Sequence, residues 1–456
     1  MLHGLRFLAR SIAYDLRKGL LARPLEITLF YVLLAAGLVY AERRYPTLTE
    51  ILSRTGWITG LDADAAQLIL ATIAGSMMTT VSVVFSVLVM ALSLASLQFS
   101  PRILRGFMAD RPTQHTLGVF VGTFLYCLVV LGTVRDEPAP FVPGISVGVA
   151  MLLAAGDLVW LVYFIHHISH GIHANFIAER VGNETISIID EEFPTSVGRA
   201  DTHAEDSDPP SAPEDSDVVE SELSGYVQLV NREQLLELAQ KHEITIYQQH
   251  GIGEFVIEGN PLVAIAPAGR LSEALQAACR ECFDLGPVRT MQQDVHYGIR
   301  QIVDMALKAI SPAVNDPTTA ATCIDQLGRV LAHLARRRIL PLDMRDPKTG
   351  RLLMLRRAVT FRGSVDLAFN QLRQYGRADM AVCLRIVRAL LEIATATDHA
   401  PHQEHALKHA RAVEAGLAPV FSIDDRQELS SRLRTLERLV AASREKASSA
   451  AMKRAV

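Results

Sequence analysis

Residues 66–99 read AQLILATIAGSMMTTVSVVFSVLVMALSLASLQF, thirty-four positions without a formal charge. A helix of that length rises roughly 50 Å, more than the roughly 30 Å hydrocarbon core of a bilayer, so the stretch predicts a membrane-spanning helix and a membrane protein. Within it Thr72, Ser76, Thr79, Ser86 and Ser93 fall along one side of the helix, with Gly75 and Ala91 close by. Small residues spaced in this way let neighbouring helices approach closely, while their hydroxyls bond across an interface or back to the carbonyl four residues earlier. Repeated around the axis of a homo-oligomer, the same face would form a wet, weakly polar wall suited to small ions. The five hydroxyl residues are therefore pore-lining candidates.

Three further apolar runs flank this one, at about residues 25–41, 117–134 and 144–168, giving four predicted spans within a membrane domain of residues 25–180. Ahead of them, residues 1–24 carry Arg6, Arg10, Arg17, Lys18 and Arg23 interleaved with leucines, the pattern of an amphipathic arm lying along headgroups. That basic stretch is too long for the start of a cleaved signal peptide, so it reads as an anchor. Four spans put both ends of the chain on one side. The basic arm, together with Arg102, Arg105 and Arg111 after the second span, assigns that side to the cytoplasm.

Asp157 is the one acid within the fourth run, and an ionisable residue at that depth is by default a functional candidate, with pairing inside the bundle as the alternative. The run exits through His166, His167, His170 and His173. Of these, His166, His170 and His173 share a helical face, which makes them weak metal candidates, although no carboxylate is fixed beside them and contact with the helix end or headgroups is the simpler use. Residues 181–222 read as a connection. Its portion 199–222 holds nine acids and three prolines, too polar to bury a core, and so predicts a solvated acidic linker.

Beyond the linker the period changes. Short runs rich in Val, Ile, Tyr and Phe, punctuated by Gly225, Gly251, Gly253 and Gly259, predict a small β-barrel-like or sandwich-like module over residues 223–268. The turn Gly253 to Leu262 is similar to those of lipoyl- and biotinyl-carrying modules, but no lysine stands at a hairpin tip, which excludes a swinging-arm carrier. Residues 269–456 return to the helical period and predict an α-helical domain, including a buried stripe Val295, Ile299, Ile302, Val303, Ala306, Leu307 and Ile310. The expected class is thus a four-span α-helical membrane protein with a cytoplasmic α+β part.

In the segment SPAVNDPTTA, Ser311 to Ala320, Asp316 followed by Pro317 is a helix cap with proline at the first position. Helix starts also bind anions through their amides, so Asn315, Asp316, Thr318 and Thr319 are ligand-binding candidates beside the plain capping reading. Five scattered cysteines make no disulfide framework, and Cys279 with Cys282 is a lone CxxC lacking the second pair that a zinc site requires. A net charge of -4 argues against nucleic acid as a partner. Neither a nucleophile elbow, a phosphate loop, an HExxH helix nor a dinucleotide fingerprint is present, and Asp294 and His296 face different sides of their helix, so the sequence points away from an enzyme and implies no cofactor.

Six segments taken together resemble the DUF2254 family of bacterial membrane proteins: TIAGSMMTTVSVVFSVLVMALSLASLQFSPRIL from Thr72, GTFLYCLVVLGTVR from Gly122, FIHHI from Phe164, SGYVQ from Ser224, QQDVHYGIRQIVDMALKAISPAVNDPTTA from Gln292 and DLAFNQLRQYGR from Asp366. The likeness covers roughly residues 25–400, with His170, His173 and the acidic linker as departures. It implies a bacterial inner-membrane location and supplies no reaction. The expectation from the residues is a homo-oligomeric channel or pore for small ions, partnered by the lipid bilayer and by copies of itself, with a cytoplasmic regulatory domain. The alternative is a membrane-anchored sensor or scaffold whose cytoplasmic part binds a small ligand or a protein.

Overall fold

Four apolar runs become four long helices: α1 (Ala22–Arg44), α2 (Ala63–Gln98), α3 (Arg111–Leu131) and α4 (Gly144–Gly171). Each is long and apolar enough to cross a membrane. The computed structural model describes residues 22–45, 62–98, 110–135, 141–171, 173–193, 212–337, 343–355 and 359–455. The expected amphipathic arm, most of the first loop, the basic turn after α2 and residues 194–211 of the acidic linker lie outside the described residues. The chain divides into two compact units, residues 1–173 and 174–456.

In the first unit, α2 buries Ala63, Ala66, Leu70, Ala74, Met77, Val84, Leu88 and Ala91, a stripe at intervals of three and four. The intimate pair is α1 with α3. A Cβ placed on Gly118 would stand 3.0 Å from Ile27, and one on Gly122 would stand 2.8 Å from the Tyr31 ring. These two glycines, four apart on α3, let the backbones close as small residues do between membrane helices. The helix starts six residues earlier than hydropathy predicts, because its polar first turns are paired. Asp110 caps it by accepting from Thr113 N at 3.3 Å. Thr116 donates to Pro112 O at 2.7 Å and accepts from Trp160 Nε1 at 2.9 Å.

Glu42, at the end of α1, is buried and caps α4 from outside. It accepts from Ile145 N at 2.6 Å and from the amide and hydroxyl of Ser146 at 3.2 and 2.5 Å. A carboxylate there meets the unpaired amides and the positive end of the helix dipole.

The second unit opens with α5 (Ala174–Glu192). This helix occupies part of what the sequence suggests is a connection, and its face of Ile177, Ala178, Val181, Thr185, Ile188 and Ile189 is buried. It packs on α8 (Val295–Ala309) and α9 (Pro317–Ala335). Arg329 donates to Asn183 at 2.8 Å, and Arg337 and His333 both meet Asp190. Four more helices complete the helical part: α10 (Phe361–Tyr375), α11 (Met380–Thr395), α12 (Ala400–Ala415) and α13 (Ile423–Ala455).

The β-part is larger than the span 223–268 read from the sequence. Strands β1 (Asp217–Glu220), β2 (Gly225–Val230), β3 (Thr245–Gln248), β4 (Phe255–Val256) and β5 (Pro261–Ala266) are joined by β6 (Phe283–Gly286), β7 (Asp343–Arg345) and β8 (Leu352–Leu355). They form two sheets, in the orders β1-β5-β3-β8-β7 and β4-β2-β6, antiparallel except for β3 with β8. Among the described residues no closed barrel forms, since β1 and β7 end one sheet and β4 and β6 the other. Helices α6 (Arg232–Lys241) and α7 (Glu273–Glu281) share the core with Val219, Ile246, Val263 and Met354. The tail of the predicted linker is therefore folded: Val219 is buried in β1, and Asp217 accepts from Arg270 N and Leu271 N at 3.1 and 3.0 Å.

The α1–α3 contact predicts that Gly122→Val, which drives two methyls into the Tyr31 ring, costs about 1–3 kcal/mol. Thermal melting of the protein in detergent should show a lowered midpoint. Gly37→Ala, where a Cβ meets nothing within 4 Å, should show no loss.

Candidate functional site

The hydroxyl face of α2 points away from the core of its unit. Thr72, Ser76, Thr79, Ser86 and Ser93 are all exposed, roughly opposite the buried stripe. Thr72 donates to Leu68 O at 2.7 Å, Ser76 to Ile73 O at 2.9 Å, Thr79 to Gly75 O at 3.1 Å and Ser86 to Ser82 O at 2.8 Å. Thr80 and Ser82 bond back in the same way. The helix thus satisfies these donors itself, and the oxygen lone pairs remain on the surface. Gly75 adds a notch, since a Cβ there would meet nothing within 4 Å. Small-xxx-small steps run down this face at Thr72, Ser76 and Thr80, at Gly75 and Thr79, and at Ser82 and Ser86.

Asp157 lies on α4 at 2% exposure; its Oδ2 and Thr123 Oγ1 on α3 are both buried without a well-formed hydrogen bond, and the two side chains are close enough to interact with each other. Tyr31 and Cys127 lie within reach of its charge.

The histidines predicted to share a face on the fourth span are divided. α4 ends at Gly171, before His173; His166 is exposed, and the His170 side chain lies outside the described residues. Their neighbour His167 pairs through Nε2 with Asp110 at 2.9 Å.

The Ser311–Ala320 segment is a cap. Asp316 accepts from Thr319 N at 3.0 Å and from its hydroxyl at 2.5 Å, so the amides an anion would use already face the chain's own carboxylate. The Thr319 hydroxyl holds the Asp316 carboxyl below the usual range. Asn315 takes the left-handed conformation at φ 50°, which asparagine tolerates well, and it and Thr318 are exposed.

Asp294 and His296 serve different partners. Asp294 caps α8 through Tyr297 N at 2.9 Å and takes both Arg289 nitrogens at 2.8 Å. His296 meets Ser364 Oγ at 3.0 Å. Gly253, at φ 81°, lies against the Arg289–Asp294 pair so closely that a Cβ would stand 2.2 Å from Asp294 Oδ2. Cys279 and Cys282 sit in the β-part core, where burial pushes their thiols up to about 11 and about 12, away from the thiolate that zinc binds.

One constellation is absent from the expectations above. His405 and His409 of α12 both reach Asp366 of α10, and their ligand atoms lie within 4.8 Å of one another, the group of metal-binding type among the described residues. Burial pushes both imidazoles below their ordinary pKa, with Asp366 acting the other way. The spacing of four between the two histidines is visible in the sequence; their partner stands 39 residues before the first of them.

A sequence model of the family described as "Predicted membrane protein (DUF2254)" matches residues 17–392. The chain is 34% identical over 336 residues to the uncharacterized protein Rv1290c of Mycobacterium tuberculosis and, at the same level, to the uncharacterized protein Mb1321c of Mycobacterium bovis. Each match covers 72% of this chain and 64% of the relative, so the chain spans less than two thirds of the relatives' length. No solved structure matches it.

Burial, with Arg289 and Arg300 adding to it, pushes His296 down to about 4. The folded state therefore binds this proton less readily than the unfolded chain, whose histidine titrates near 6.5. The stability is complete above about pH 6.5 and is lost as pH falls toward 4, by up to about 3 kcal/mol. Melting midpoints measured between pH 7.5 and 5 should fall for the native protein and fall less steeply for His296→Gln.

Proposed function

As the chain belongs to the DUF2254 family of membrane proteins, we propose that it assembles as a homo-oligomer in the bacterial inner membrane and conducts small ions along the hydroxyl face of α2. The supporting observation is that this face, small, hydroxyl-bearing and notched at Gly75, is turned outward while the opposite stripe carries the packing of its own unit. A row of hydroxyls whose protons are already donated to the helix offers lone pairs to a passing cation without binding it tightly, as conduction requires. Both termini lie in the cytoplasm on this reading, following the basic residues that flank the spans. The second unit, with its own core, regulates the path.

A membrane-anchored sensor is the competing reading, favoured by the buried histidines around Asp366. The two differ at α2, because a sensor tolerates bulk on the outward face and a pore does not.

Ser86→Leu and Gly75→Leu should lower single-channel conductance in planar bilayers several-fold while leaving the melting midpoint within about 1–2 °C of the native protein. Unchanged conductance in both variants, or no conductance from the native protein across voltage and tension, would contradict the channel.

A further inference from the structure

His405 and His409 stand four residues apart on α12, so both rings project from one face of the helix. Their Nε2 atoms close on a single oxygen of α10, Asp366 Oδ1, at 2.8 and 2.7 Å. The rings lie edge to face with centroids 5.0 Å apart. Both imidazoles are buried, whereas the Asp366 side chain is 41% exposed, so the cluster is closed on its histidine side and open to water at the carboxylate.

We propose that Asp366, His405 and His409 form a three-ligand site for a divalent transition ion, zinc being the closest match, with solvent in the remaining position. Two imidazoles and a carboxylate are a ligand set that zinc takes in open tetrahedral sites. With an ion bound each imidazole carries its proton on Nδ1, the opposite tautomer to the one that donates Nε2–H to Asp366 Oδ1 at 2.8 and 2.7 Å, so binding exchanges those two hydrogen bonds for metal–nitrogen bonds. Around a tetrahedral ion with bonds of about 2.0–2.1 Å the ligand atoms stand about 3.3 Å apart, so the two Asp366–histidine distances of 2.8 and 2.7 Å must each open by roughly half an ångström. The half-exposed Asp366 side chain supplies that movement.

Charge sets the selectivity. Arg362, Arg373 and Lys408 act on the same cluster, leaving little net attraction for a cation held by charge alone. Calcium and magnesium depend on several oxygen ligands and find one residue here, while zinc, nickel, cobalt and copper gain from the imidazoles themselves. Asp366 lies inside the segment matched by the family and both histidines lie beyond its end at residue 392.

The test uses the full chain in detergent, its affinity tag removed and its metal stripped, titrated with zinc by calorimetry and with cobalt by visible absorption. The native protein should bind a single ion per chain, with the absorption of a tetrahedral cobalt site and no response to magnesium. Asp366→Asn and His409→Gln should each weaken binding by about tenfold or more. Asp366→Asn changes a half-exposed side chain and leaves the core intact, which guards against a variant that fails to fold. Absence of saturable binding by the native protein, equal binding by both variants, or equal binding of magnesium would each overturn the site.

Discussion

Inside a bilayer no water competes for hydrogen bonds, so each polar group on a spanning helix must find its partner within the protein. On α2 the hydroxyls do so on their own helix, at 2.7 to 3.1 Å from carbonyls three or four residues back. This local solution leaves the outward face both polar and self-sufficient. It also explains how thirty-six residues can form one helix while spreading hydroxyls along a surface the unit does not cover. Elsewhere in the same unit the constraint is met over long range: Glu42 caps α4 a hundred residues away, and Trp160 finds Thr116. Among the described residues of this unit it is met least well at Asp157 Oδ2 and Thr123 Oγ1, which meet each other in a poorly formed contact.

In the second unit the helix starts are met mainly by side chains close in sequence. Six of its described helices begin with side-chain caps, from Asn231, Ser272, Asp294, Asp316, Thr360 and Asp379, each bonding an amide three residues on. Close approach is again a glycine matter. A Cβ on Gly298 would stand 2.1 Å from the Thr185 hydroxyl of α5, and one on Gly328 would stand 3.1 Å from Ala389 of α11. The Gly253 turn meets the Arg289–Asp294 pair in the same manner and ties the β-part to the start of α8.

Much of this was legible in the sequence. Hydropathy located all four spans, and the 3.6 period with the Asp316–Pro317 cap placed α8 and the start of α9. What escaped were features set by partners distant in sequence. The first turns of α3 look like a polar loop until Thr116 is seen to be bonded, and Glu42 looks like a loop charge until α4 supplies its amides. Strands β7 and β8 are three and four residues long, too short for a period, and exist because β3 offers an edge. Helix α5 has an amphipathic pattern, but its charges made it read as a connection. For the candidate sites, the spacing of the α2 hydroxyls sets them along one side of the helix, while the direction of that side depends on which other residues pack. The Asp366 cluster could not be assembled from spacing alone, since its carboxylate belongs to another helix.

In the proposed pore the outward face of α2 meets its own copies. An electron cryomicroscopy structure of the detergent-solubilised protein tests it most directly, read for symmetry and for the direction of Ser76, Thr79 and Ser86. The account predicts a closed ring of subunits with those residues turned toward the central axis. A monomer, or an oligomer in which the same residues face only lipid, would contradict it.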